Sequence, residues 1–198
     1  MENNNFRFKQ FSVNDTECGM KICTDSVLFG SWLNVKDVKS ILDIGTGSGL
    51  ISLMLAQKSD ANITAIELCE DAAVCAENNF KNSPWNNRLQ IINISLENYV
   101  NQCVNKFEMI VCNPPWFNFL KPDDVKRHIA RHRDALDYET LIYCVTRLLS
   151  YDGVFSVVLP FNEKDCFCNK ALINDLYLNN ETIIFTKWGK QAKRIFLS

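Results

Sequence analysis

Residues 41–56 read ILDIGTGSGLISLMLA, and the fold turns on them. Ile41 to Ile44 is a short apolar run suited to a buried strand, and Leu50 to Ala56 has the length and composition of a helix. Between them lie Gly45, Gly47 and Gly49. Glycines at alternate positions let the backbone turn sharply, accept positive φ and pass closer to a ligand than a Cβ would permit. Strand, glycine turn and helix in that order open a parallel α/β unit.

The alternation continues outward from this stretch. Ile63 to Ile66 reads as the next strand, and Glu70 to Lys81 as a helix in which Ala72, Ala73, Cys75, Ala76 and Phe80 recur at helical spacing. Leu89 to Ile94 is a third strand, Leu96 to Val104 a short helix, and Phe107 to Cys112 a fourth strand. Asn113-Pro114-Pro115 stops it, because proline cannot donate to a ladder. Tyr138 to Leu149 is helical, Gly153 to Leu159 a fifth strand, and Cys166 to Leu178 a further helix. Thr182 to Phe185 and Arg194 to Leu197 form a closing pair around Trp188-Gly189. Upstream, Thr24 and Asp25 are placed to cap a helix from Val27 to Leu33. Such a pattern predicts an α/β domain: a seven-stranded, mostly parallel sheet with an antiparallel C-terminal edge and helices on both faces.

Composition narrows the class. The chain has 198 residues, 47% hydrophobic and 22% charged, with a net charge of -2. It suits a single domain over 1–198 with a full core, and it is too apolar for disorder. No run approaches a membrane span, and the start lacks the features of a signal peptide, so a cytoplasmic protein is expected; the expected oligomeric state is a monomer. Nine cysteines, an odd number without a C-x-x-C pair, read as reduced thiols, and no metal site is expected.

The glycine turn points to a nucleoside. Glu67 stands at the end of the second strand, where a carboxylate can accept from both hydroxyls of a ribose. The third glycine spacing differs from that of a dinucleotide fingerprint, and no lysine follows as in a phosphate loop. Asp43, Gly45, Gly47, Gly49 and Glu67 therefore suit a nucleoside without a phosphate chain, as S-adenosylmethionine is.

Asn113-Pro114-Pro115-Trp116 follows the fourth strand, which in this topology lies beside the first at the switch point where ligands bind. A planar exocyclic amine is a poor nucleophile because its lone pair is delocalised. The Asn113 side-chain oxygen and the Pro114 carbonyl can accept its N–H groups and aim it at a methyl donor, while Trp116 stacks on the base. The net charge gives no general attraction for nucleic acid, yet the charge is unevenly placed. Lys121, Lys126, Arg127, Arg131 and Arg133 oppose only Asp123 and Asp124, and Lys187, Lys190, Lys193 and Arg194 have no acid among them. Lys121, Lys126, Arg127, Arg131, Lys190 and Arg194 are the candidate RNA contacts.

Taken with the opening FRFKQF (residues 6–11) and MKICTD (residues 20–25), these motifs resemble the bacterial tRNA(Val) adenine-N6-methyltransferases, Rossmann-like class I enzymes, over essentially the whole chain. The resemblance implies S-adenosylmethionine as methyl donor and tRNA as substrate, methylated on the adenine beside the anticodon. It also implies that residues 1–34 fold over the cofactor, with Lys21, Thr24 and Asp25 lining the pocket, and that Ser95 and Asn113 touch the cofactor. Relatives carry an aspartate where this chain has Ser95. Two related activities use similar motifs on the same fold: guanine-N2 methylation of rRNA and N5 methylation of protein glutamine.

Overall fold

A computed structural model describes residues 5–16, 18, 21–114 and 137–198. In chain order, β1 (Asn5–Arg7) and β2 (Ser12–Asn14) precede α1 (Thr24–Trp32), β3 (Ser40–Ile44), α2 (Leu50–Lys58), β4 (Asn62–Glu67) and α3 (Glu70–Lys81). Then come β5 (Leu89–Asn93), α4 (Leu96–Gln102), β6 (Phe107–Cys112), α5 (Tyr138–Leu148), β7 (Leu149–Pro160), α6 (Lys164–Ile173), β8 (Glu181–Ile184) and β9 (Arg194–Leu197).

Seven strands form one sheet in the order β5-β4-β3-β6-β7-β9-β8. The first five run parallel, and β9 is antiparallel to both β7 and β8. The antiparallel strand thus sits one place in from the edge, and β8 is outermost. The order reverses at β3, which pairs with β4 on one side and β6 on the other. Ile44 lies opposite Cys112, so the segments after β3 and β6 leave the sheet side by side. This register places the glycine turn next to Asn113.

Burial on both faces explains why the strands are apolar without alternation. Leu42, Ile44, Ile110 and Cys112 face the core under α4, α5 and α6, while Ile41, Ile63, Met109 and Val111 face α1 and α2. Gly30 permits the close approach of α1 to α2: a Cβ there would stand 2.7 Å from the Met54 sulfur. Among the described residues, no helix is long and apolar enough to cross a membrane.

The local differences from the sequence reading have physical causes. The helix expected to begin at Val27 starts at Thr24 with Cys23 as N-cap, closed by Val27 N donating to Cys23 O. Thr24 and Asp25 are its first residues rather than its cap. The helix expected to run to Leu178 stops at Ile173, where Asn174 and a left-handed Asp175 (φ 60°) turn the chain. β1 and β2 form an unanticipated antiparallel hairpin whose Phe11 and Val13 pack on α2 and α3. The expectation that all nine cysteines are reduced is also corrected: Cys18 and Cys75 form a disulfide, because the segment after β2 lies against α3.

Candidate active site

The glycine turn is held from below by a buried carboxylate. Asp43 is 1% exposed. Its Oδ2 accepts from Thr46 Oγ1 at 2.6 Å and from Ser52 Oγ at 2.7 Å, tying the turn to the first helical residues of α2. Burial raises the Asp43 pKa, and the two hydroxyl bonds work against that rise by stabilising the charged form. Asp43, expected among the cofactor contacts, braces the turn through its Oδ2. Gly45 N and Thr46 N donate to Ile66 O, and Gly47 N donates to Glu67 Oε2 at 2.9 Å. On the far side, Asn79 Nδ2 donates to Ser48 O.

Gly45 and Gly47 have φ of +67° and +57°, and a Cβ built on either meets no heavy atom within 4 Å. Both would project into open space over the turn. Gly49 is different: its φ is +79°, and a Cβ would stand 2.5 Å from the Phe80 ring. The first two glycines keep a surface clear, whereas the third permits packing of the turn on α3. Half-buried Glu67 closes this surface, with Oε1 accepting from Cys69 N at 2.9 Å. A carboxylate has about four lone-pair positions, so two remain for further donors. Exposed Leu68 offers an apolar wall beside it.

Ser95 follows β5 at the same edge. It is the N-cap of α4, its Oγ accepting from Asn98 N at 3.2 Å, which leaves the hydroxyl proton free to donate. Lys21 is exposed, with its ammonium 3.7 Å from Asp15 Oδ1, and Thr24 is exposed on the first turn of α1.

Asn113 and Pro114 are half-buried at the end of β6. Asn113 Nδ2 donates to Ser26 Oγ at 2.9 Å, across 87 positions of sequence. The bond uses the amide's nitrogen end, and its oxygen has no partner among the described residues. Sequence reading passed over Ser26 because only the packing of α1 brings it here. Burial pushes the neighbouring Cys112 thiol well up, reinforced by the charges of Asp43 and Glu67, so it stays neutral and unreactive. Trp116, Lys121, Lys126, Arg127 and Arg131 lie outside the described residues. Lys190 is exposed in the β8–β9 loop. Arg194 Nε lies 3.1 Å from Asp25 Oδ2 on α1.

With this geometry in place, three similarities bear on identity. The methyltransferase small domain family matches residues 18–159. A tRNA1(Val) (adenine(37)-N6)-methyltransferase of Phocaeicola vulgatus is 42% identical over 100% of this chain and 84% of its own length. The protein of the same name from Shewanella pealeana is 41% identical over 97% of this chain and 78% of its own. For the fold, a solved structure described as a predicted O-methyltransferase from Agrobacterium tumefaciens superposes with a TM-score of 0.66 at 16% identity, covering 87% of this chain and 78% of that one.

Proposed function

The chain belongs to the methyltransferase small domain family, in the branch of the tRNA1(Val) (adenine(37)-N6)-methyltransferases, and on that premise we propose that it methylates tRNA. The methyl group passes from S-adenosylmethionine to the exocyclic N6 amine of an adenine, the one beside the anticodon of tRNA(Val). One observation carries the chemical part: Asn113 is oriented by Ser26 directly across the switch point from the glycine turn and Glu67.

The donor set fits the methyl donor. Gly45 and Gly47 leave a surface free of side chains, Glu67 has acceptor capacity for a ribose, and Ser95 can donate at the end of β5. S-adenosylmethionine supplies a methyl group already activated by its sulfonium. Lys21 and Thr24 border the pocket from the N-terminal side.

The protein's task is positioning, which can account for a large part of such a barrier. The side-chain oxygen of Asn113 and the carbonyl of Pro114 accept the two N–H groups of the amine. They draw it from planar toward pyramidal geometry and fix its direction. Trp116 stacks on the base. No general base is needed before transfer, because the amine can release its proton afterwards. Lys121, Lys126, Arg127 and Arg131 contact the RNA backbone, and a tRNA substrate places the enzyme in the cytoplasm.

The test incubates the purified chain with labelled S-adenosylmethionine and total unmodified RNA, followed by nucleoside analysis. Label in N6-methyladenosine is expected. Label in N2-methylguanosine, or only in protein, would contradict the proposed acceptor and favour one of the two related activities.

A further inference from the structure

The β8–β9 loop, residues 185–193, is strongly exposed, aromatic and basic. Trp188 is 102% exposed and Phe185 59%. Exposure of a whole indole is costly in water unless something covers it, since aromatic side chains carry large apolar surfaces. The turn that presents Trp188 is defined: Lys190 N donates to Lys187 O, and Gly189 has φ +71°. Glycine with positive φ at the third position of such a turn holds the preceding side chain at the outer corner. Trp188 therefore points away from the molecule.

The charge around it is of one sign. Lys187, Lys190 and Lys193 are exposed, residues 185–194 contain no acid, and none of the three ammoniums pairs with a carboxylate among the described residues. The base of the loop is fixed. Lys193 N donates to Ile184 O, Phe161 N donates to Lys193 O, and Arg194 is tied to Asp25 of the same α1 turn that carries Ser26.

Its location decides the partner. Arg194 lies opposite Pro160, at the carboxyl end of β7, so the loop rises from the same edge of the sheet as Asn113. Two strand spacings separate β9 from β6, about 10 Å. We propose that this loop is an RNA-contact surface beside the active site: Trp188 stacks on an unpaired base near the target adenine, and Lys187, Lys190 and Lys193 hold the adjoining phosphates. Stacking is tolerant of base identity, so the loop grips a single-stranded segment and leaves selection to the pocket. The proposal rests on reading the substrate as RNA.

The experiment measures binding of the full chain to a labelled, unmodified anticodon stem-loop of tRNA(Val) by fluorescence anisotropy over a range of salt. Trp188→Ala is expected to weaken binding about 5- to 100-fold, with Trp188→Phe retaining most of the affinity. Replacing Lys187, Lys190 and Lys193 together by Gln should lower the slope of log Kd against log salt by about 2. Unchanged affinity for S-adenosylmethionine in each variant shows an intact fold. Variants that bind RNA as tightly as wild type, while wild type forms N6-methyladenosine, overturn the loop assignment and leave the function standing. Wild type that binds RNA through Trp188 but forms no N6-methyladenosine overturns the function and leaves the loop standing. Binding to phosphatidylserine vesicles that depends on Trp188, with RNA affinity unchanged in Trp188→Ala, would also overturn the proposal.

Discussion

The two halves of the site, on either side of the switch between β3 and β6, are wired differently. The half built from β3 and β4 is tied to itself: Asp43 holds Thr46 and Ser52, Glu67 holds Gly47, and Ile66 holds Gly45 and Thr46, all within about one strand-helix-strand unit. The half built from β6 depends on a distant part of the chain, since Asn113 takes its orientation from Ser26 of α1, and α1 is in turn tied through Asp25 to Arg194. A self-contained cradle can be formed before any ligand arrives. The Asn113 side chain, by contrast, is oriented through a contact with the N-terminal segment. Damage to the first half should therefore appear in binding and stability, and damage to the second in turnover.

The largest effect expected on the reacting half is from Asn113→Ala. It should lower kcat by about a hundredfold or more while the affinity for S-adenosylmethionine stays near wild type; losing one transition-state hydrogen-bonding group typically costs this much. Equal loss of affinity and kcat in a steady-state and equilibrium-binding comparison would erase the distinction between the halves. On the other half, Gly49→Ala must accommodate both positive φ and a Phe80 contact at 2.5 Å. The combined cost is about 2–4 kcal/mol, which in a chain of this size should lower Tm by about 5–10 °C. An unchanged melting curve would show that the turn is not packed on α3 as described.

Glu67→Ala should weaken S-adenosylmethionine binding by about 10- to 100-fold, the worth of charge-assisted hydrogen bonds, with kcat at saturating donor much less affected. Calorimetric titration measures this, and a variant that binds normally would remove Glu67 from the cradle. The smallest effect is the sharpest probe of the comparison. Ser26→Ala should reduce kcat by about 5- to 10-fold, the value of one ordinary hydrogen bond, without changing the KM for the methyl donor, and Ser26→Thr should restore most of the rate. Loss of rate in both variants alike would assign Ser26 a packing role only.

The same division explains what the sequence disclosed. The strands, the glycine turn, Glu67 and the Asn113-Pro114 stop were legible because each is local: a run of apolar residues, a spacing of glycines, a proline that ends a ladder. Only the switch point was needed to join them, and the parallel topology supplies it. The pairs that hold the N-terminal segment to the rest of the domain carry no local signal. Ser26 and Asn113 are separated by 87 positions, Asp25 and Arg194 by 169, and Cys18 and Cys75 by 57. They meet because Gly30 lets α1 lie on α2 and because Phe11 and Val13 seat the N-terminal hairpin on α2 and α3. The hairpin strands are three residues each, too short to show a period. Arg194 reads in sequence as one of four adjacent cations; only packing shows that it differs from Lys187, Lys190 and Lys193 in having a carboxylate partner among the described residues.

The central claim is that the oriented Asn113 acts on an adenine amine presented beside the glycine turn. Its most direct test is mass mapping of an unmodified tRNA(Val) transcript after incubation with the wild-type chain and with Asn113→Ala in the presence of S-adenosylmethionine. A single N6-methyladenosine beside the anticodon, formed by wild type and lost in the variant, is the predicted result. Methylation at guanine, or an Asn113→Ala variant that modifies the same adenine at the wild-type rate, would contradict it.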